Sequence, residues 1–322
     1  MSDSQVKTVS VGIPVYYNEQ SLPELASRLI EVDRKLATQG AQLELILVDD
    51  GSGDGSYSEL LQIQRRFQRT TVCKHTRNFG ALVALKTALA NATGDCLVIL
   101  SADLQDPPEL IEEMVAKWKA GRKYVICQRR RREDPWTTRI FAAVYYWLVR
   151  KLIAKDYPVG GFDFSLMDRQ MMELVREAPK NVNFVVFCYW LGFKPYLLRY
   201  DRAERVYGKS RWTLLKKLKL ATDTFLGFSA APIRLISSIG LVVSITSFGY
   251  GIFEIIAALA GFVVVKGFAS LVVLITFLLG LIIFFLGVIA EYLWRILYEV
   301  NRLPEGVTDH VSRWRGTRDT HS

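Results

Sequence analysis

Two uncharged runs near the end of the chain constrain its fold most. Leu235–Phe253 and Gly267–Ala290 contain no charged residue and are rich in Leu, Ile, Val and Phe. At 1.5 Å rise per residue, each is long enough to cross the roughly 30 Å hydrocarbon core of a bilayer. A buried core helix is the alternative, but two such runs back to back exceed what a soluble core usually holds. The expected division is a soluble domain over 1–212, an interfacial segment over 213–232, two transmembrane helices over 233–294 and a basic tail over 295–322.

Charge orients this arrangement. The chain has 322 residues and a formal net charge of +9. Arg199, Arg202, Arg205, Lys209, Arg211, Lys216, Lys217 and Lys219 crowd the approach to the first run, and Arg234 stands at its edge. The link between the runs carries one basic residue, Lys266, along with Glu254, whereas Arg295, Arg302, Arg313, Arg315 and Arg318 follow the second. The positive-inside rule then puts both termini in the cytoplasm, giving a multi-pass protein of the inner (plasma) membrane. Anionic headgroups account for the basic patch, so no nucleic-acid partner is expected. Leu214, Leu215, Leu218, Leu220 and Phe225 alternate with Lys216, Lys217 and Lys219, which suits an amphipathic helix in the membrane interface.

The first ten residues lead straight into a strand, without a leader pattern. Cys73, Cys96, Cys127 and Cys188 form no CxxC pair and are expected as buried free thiols. His75, His310 and His321 are scattered and offer no metal constellation.

In the soluble part, strand and helix signals alternate. Apolar runs at Thr8–Val15, Leu43–Val48, Thr71–Lys74, Cys96–Ser101 and Tyr124–Gln128 read as strands. Ser21-Leu22-Pro23-Glu24 has the form of a capping box, followed by Leu25, Leu29, Val32 and Leu36 at helical spacing. Ala81–Asn91 reads as a helix, and another starts at Pro107-Pro108. Continuous apolar strands alternating with helices predict an α/β fold with a mostly parallel, Rossmann-like sheet. In such sheets ligands bind beyond the carboxyl ends of the strands. Glu19, Asp49, Asp50 and Asp103 each follow a strand. Any one could be a helix cap, but together they suit a nucleotide diphosphate and its divalent cation. Asp103 and Gln105 could ligate the ion, and Asp50 and Glu19 suit the base and ribose.

Several motifs carry a family resemblance. Pro14-Val15-Tyr16-Tyr17-Asn18-Glu19, Val48-Asp49-Asp50-Gly51-Ser52-Gly53-Asp54, Arg77-Asn78-Phe79-Gly80 and Ala102-Asp103-Leu104-Gln105-Asp106-Pro107-Pro108 come in order. Gly161–Arg169 and Arg205–Trp212 continue the series. The chain thus resembles the dolichol-phosphate mannose synthase and bactoprenol glucosyltransferase family of inverting, A-type-fold glycosyltransferases, and two closing spans match its bacterial branch. The resemblance implies transfer of a sugar, glucose or another hexose, from a nucleotide diphosphate (a UDP-sugar) to polyprenyl (undecaprenyl) phosphate. It further implies that Pro14, Glu19, Val48, Asp50, Ala102 and Asp103 bind the donor. Asp103 and Gln105 would hold Mg2+ or Mn2+. Arg129, Arg205 and Lys209 would bind phosphate or acceptor, and Asp163 would act at the acceptor as the catalytic residue beside Asp103 and Arg129. A homo-oligomer, a tetramer, is implied too.

Three departures from the family pattern stand out. Ser101 replaces the first residue of the usual Asp-Ala-Asp. A tyrosine is added before Asn18. Phe162-Asp163-Phe164-Ser165 lacks the arginine of Gly-Asp-Phe-Arg. Two other functions fit parts of the pattern. A processive polysaccharide synthase would need Gln where Gly208 precedes Arg211-Trp212, and a non-catalytic nucleotide-sugar scaffold would be consistent with Ser101. In the first span, Ser237, Gly240, Ser244, Ser247 and Gly251 form a small-residue stripe that would receive either the second span or a second copy.

Overall fold

Strands buried on both faces organise the N-terminal part of the protein. The computed structural model describes residues 6–130, 136–158, 162, 164–179, 182–202, 214–260, 267–301 and 304–313. In chain order come β1 (Lys7–Val15), α1 (Leu22–Thr38), β2 (Ala41–Asp49), α2 (Ser56–Arg66), β3 (Thr70–His75), α3 (Ala81–Asn91), β4 (Cys96–Ile99), α4 (Leu110–Lys119) and β5 (Tyr124–Arg129). These match the sequence expectation to within a few residues. Val9, Val11, Ile13 and Val15 on β1 and Leu43, Leu45, Ile46, Leu47 and Val48 on β2 are all buried. Each such side chain contributes about 1.5–3 kcal/mol of transfer free energy, which fixes the register of the central strands.

Less predictable elements follow: α5 (Trp136–Leu152), β6 (Ser165–Asp168), α6 (Arg169–Arg176), α7 (Phe184–Trp190) and β7 (Tyr196–Tyr200). After α8 (Leu214–Phe228), α9 (Ala231–Leu259) and α10 (Phe268–Val300), the chain ends its described course in β8 (Thr308–Arg313). One sheet holds all the strands, in the order β7-β5-β6-β4-β1-β2-β3-β8. β4-β1-β2-β3 are mutually parallel, as is β5 with β7. β6 runs antiparallel between β4 and β5, and β8 runs antiparallel along β3.

The chain forms two compact units, Met1–Leu218 with Pro304–Ser322, and Lys219–Leu303. Past residue 295, α10 continues to Val300, and Thr308–Arg313 joins the sheet of the first unit. All four cysteines are buried and free, as expected. Burial pushes the Cys73 thiol up to about 11, so it is unreactive at neutral pH.

In the second unit, Ile233–Tyr250 and Phe277–Val300 are long and apolar enough to cross a membrane. With 33 residues, α10 is about 50 Å long and exceeds a hydrocarbon core. Its charged end is used internally: Arg295 pairs with Asp223 of α8 at 2.7 Å and with Glu291 at 3.1 Å. A Cβ added at Gly240 would lie 3.7 Å from Phe285, so this point of the small-residue stripe faces α10 of the same chain.

Candidate active site

The carboxyl ends of β1, β2 and β4 bring the predicted acidic loops together. β1 and β2 end in register, with Pro14 opposite Val48 and Val15 opposite Asp49. Past that edge the β1 loop is tied to the β2 loop. Tyr17 N donates to Ser52 Oγ at 3.0 Å, and Asn18 N to Ser56 Oγ at 2.9 Å. Tyr17 sits at φ 57, in the left-handed region, with its hydroxyl 2.8 Å from where a Gly53 Cβ would lie. The left-handed turn at Tyr17 is thus accommodated where Gly53 leaves room for the ring.

Glu19 does something the motif did not announce. Its carboxylate accepts Gly55 N at 2.9 Å, at the amino end of α2, where it complements the helix dipole. A Cβ at Gly55 would lie 2.6 Å from Glu19 Oε1. Ser21 also departs from expectation. It makes no side-chain cap, because its hydroxyl donates to Ala102 O at 2.7 Å and to Asn18 O at 3.0 Å. The capping-box reading is therefore corrected: Ser21 joins the β1 loop to the β4 turn. Val48 and Ala102 are buried.

The paired aspartates at the end of β2 divide their roles. Asp50 is buried, and its oxygens accept Phe79 N at 2.9 Å and Gly80 N at 2.8 Å. His75 Nδ1 lies 2.9 Å from Asp50 Oδ1. Asp50 therefore shapes the Arg77–Gly80 loop, which lies directly on Gly51. At φ +72, Gly51 passes so close that a Cβ would stand 2.5 Å from the Arg77 carbonyl carbon. Gly51→Ala should accordingly cost about 2 kcal/mol or more and displace the loop. A denaturation midpoint unchanged from wild type would contradict this packing.

Asp49 is fully buried. Its Oδ1 accepts Ser52 N at 3.1 Å, whereas Oδ2 finds no hydrogen-bond partner among the described residues. Burial raises its pKa, and the bonds from Ser52 oppose that shift. A carboxyl raised in the folded state costs stability as pH rises through its folded pKa. Sequence reasoning noted Asp49 at the strand end but gave it no role. The doubled Asp-Asp was the only signal.

The β4 turn holds Asp103 and Gln105. Asp103 Oδ1 accepts Ser101 Oγ at 2.9 Å and Gln105 N at 3.3 Å. Ser101, standing where a second carboxylate was expected, thus orients Asp103. Leu104 between them is at φ 60 and, with Tyr17, is one of two non-glycine residues in the left-handed region among the described residues. Farther along the turn, Asp106 is buried and accepts the Tyr200 hydroxyl, with Arg202 Nε 3.6 Å away. Tyr200 pairs with Arg129 in the β5–β7 ladder. Burial and the Asp106 charge push the Tyr200 phenol up, so it remains a neutral donor. This chain places Arg129 beside the turn that carries Asp103.

Asp163, Arg205 and Lys209 lie outside the described residues. Beside Asp163, Phe162 and Phe164 are buried, Phe162 against Tyr124 and Tyr157. Among the described residues no group of three or more His, Cys, Asp or Glu side chains could hold a metal by itself. Asp103 and Gln105 do carry oxygens of the type that Mg2+ accepts alongside water and diphosphate oxygens.

Residues 10–197 match the family model described as glycosyl transferase family 2. An uncharacterised glycosyltransferase of Synechocystis is 34% identical over 92% of this chain and 93% of its own length. The prophage bactoprenol glucosyl transferase homologue of Escherichia coli is 31% identical over 95% of this chain and 99% of its own. Among solved structures, mannosyl-3-phosphoglycerate synthase from Rubrobacter xylanophilus superposes with a TM-score of 0.50 at 16% identity, covering 73% of this chain and 75% of that one. That likeness shows the A-type glycosyltransferase fold.

Proposed function

The chain belongs to glycosyl transferase family 2, in the branch of the bactoprenol glucosyl transferases, and from that premise we propose that it moves one hexose from a UDP-sugar to undecaprenyl phosphate. The observation that carries the reading is the match to the Escherichia coli prophage protein over 99% of that protein's length, apolar helices included. Glucose is the sugar suggested by that relative's name.

A phosphate oxygen of the lipid attacks the anomeric carbon as the bond from that carbon to the diphosphate oxygen breaks. The nucleoside diphosphate leaves, and the configuration inverts. A phosphate monoester has its second pKa near 6, so the acceptor is largely dianionic at neutral pH and needs no strong base. Asp163 then orients the acceptor, and Arg129, Arg205 and Lys209 offset the repulsion between the two anions. Pro14, Glu19, Val48, Asp50 and Ala102 build the nucleoside pocket, Asp50 by holding the Arg77–Gly80 loop. Mg2+ or Mn2+ held by Asp103 and Gln105 would neutralise diphosphate charge. Donor turnover measured with and without undecaprenyl phosphate tests the reading. Turnover that ignores the lipid would contradict it.

Two features support membrane attachment. The chain leaves the first unit before α9 and rejoins it in β8. If both apolar helices cross, it returns to the side it left, and the excess of Lys and Arg on that side is what favours a cytoplasmic catalytic unit. On α5, Ile140, Phe141, Val144 and Trp147 are all more than half exposed on one helical stripe, and Lys151 covers the Trp147 ring at 4.9 Å. Aromatic and aliphatic groups with a lysine at their edge suit the headgroup layer. Replacing Ile140, Phe141, Val144 and Trp147 together by serine should raise the KM for lipid acceptor at least about tenfold and leave the donor KM unchanged. An unchanged acceptor KM would remove α5 from the interface. Homo-oligomer formation, with a tetramer as the family precedent, is part of the same proposal.

A further inference from the structure

The geometry points to His75 as a positioning residue for the nucleoside pocket, held there by the segment Glu305–Val307 that follows the second apolar helix. The inference rests on the donor-site reading above. His75 is 1% exposed, with Nδ1 2.9 Å from Asp50 Oδ1 and Nε2 2.9 Å from Thr87 Oγ1. The Asp50 oxygens already accept the Phe79 and Gly80 amides, and His75 Nδ1 donates to the same carboxyl. Asp50 in turn fixes the amides of Phe79 and Gly80, the loop that lies on Gly51. One imidazole therefore orients the carboxylate on which the pocket loop is built.

The ring is covered from the far end of the chain. Val307 O accepts Thr76 N at 3.0 Å, directly after His75. Glu305 is clasped by Lys86 of α3 at 2.8 and 2.9 Å. Between them, a Cβ at Gly306 would lie 2.5 Å from Val83 Cγ1 and 3.8 Å from His75 Cε1 and Nε2. A side chain at Gly306 would press on Val83 and force it or the segment to shift. The path from Gly306 through His75 and Asp50 to Phe79 and Gly80 links the return from the membrane helices to the donor pocket, with no side chain of the phosphate-binding set involved.

The test uses the full chain in lipid nanodiscs, with UDP as the binding probe and UDP-glucose with undecaprenyl phosphate for turnover. His75→Phe keeps the ring volume and removes the donor. It should weaken UDP binding and raise the UDP-glucose KM about tenfold, with kcat and acceptor KM within about twofold. His75→Asn, whose amide can donate in place of Nδ1, should recover most of the loss. Gly306→Val should reproduce the split of His75→Phe without touching the pocket. UDP affinity unchanged in a folded His75→Phe protein overturns the inference. So does an equal loss in the Phe and Asn variants. Should His75→Phe fail to fold, Gly306→Val decides, and unchanged UDP affinity there overturns it. Wild-type protein that binds UDP but transfers nothing defeats the proposed activity, while the affinity series still decides the role of His75. If the wild type binds no UDP, both fall.

Discussion

Asp103→Ala should reduce sugar transfer by a factor on the order of 10^3 or more while leaving a folded protein. The expected loss is large because Ser101 leaves Asp103 as the carboxylate for a cation on the donor diphosphate, and electrostatic stabilisation of a leaving group is worth several kcal/mol. The structural cost is smaller. Asp103 Oδ1 accepts from Ser101 Oγ and from Gln105 N, and losing such bonds costs about 1 kcal/mol each. Asp103→Asn keeps an acceptor for both bonds and removes only the charge, so it should retain the stability and still lose the activity. Excess chelator should mimic both variants. Full turnover in chelator would remove the cation from the account, and an active Asp103→Ala protein would remove Asp103 as well.

Ending the chain after Leu303 should abolish soluble, folded protein, although every motif in the first 212 residues is intact. The truncation removes β8, which pairs with β3 from Thr71 to His75. It also removes Glu305 from Lys86, and Ser312, whose carbonyl and hydroxyl bond the Gln64 side chain at 2.8 Å. The exposed β3 edge would present unpaired amides and carbonyls, a template for aggregation. Yield in the soluble or detergent-extracted fraction and the melting temperature report the effect. A truncated chain with wild-type melting behaviour would show that β8 is a dispensable addition.

That strand also shows where the sequence stops being readable. β1 through β5 were legible because strands buried on both faces are continuous apolar runs, and the helices between them repeat at 3.6 residues. Thr308–Arg313 has no such signature. Its residues are mostly exposed and charged or polar, and its pairing partner lies more than 200 residues away in the chain. β6 was equally hidden, because a four-residue strand offers too little pattern to identify its antiparallel sense.

The site was legible as a set of loops and less so as a set of contacts. The acidic residues do gather at the carboxyl ends of β1, β2 and β4. What each side chain bonds depends on tertiary neighbours that spacing cannot supply. Glu19 bonds an amide of the β2–α2 loop, Ser21 reaches Ala102 instead of capping its own helix, and Asp50 is engaged by His75. A lone histidine in an apolar strand carries no sign of a carboxylate partner 25 residues earlier. Tyr200 is likewise unremarked in the sequence, yet it donates to the buried Asp106 and pairs with Arg129 in the β5–β7 ladder.

The most direct measurement is the mass of the lipid product. Purified full-length protein in nanodiscs containing undecaprenyl phosphate would be supplied with UDP-glucose and a panel of other nucleotide sugars, with a divalent cation present. The account predicts a new lipid species heavier than undecaprenyl phosphate by one hexose residue, formed in step with release of one nucleoside diphosphate and absent with Asp103→Ala. Nucleotide release without a lipid product, a ladder of several sugars on one lipid, or donor binding without turnover across the whole panel would each contradict it.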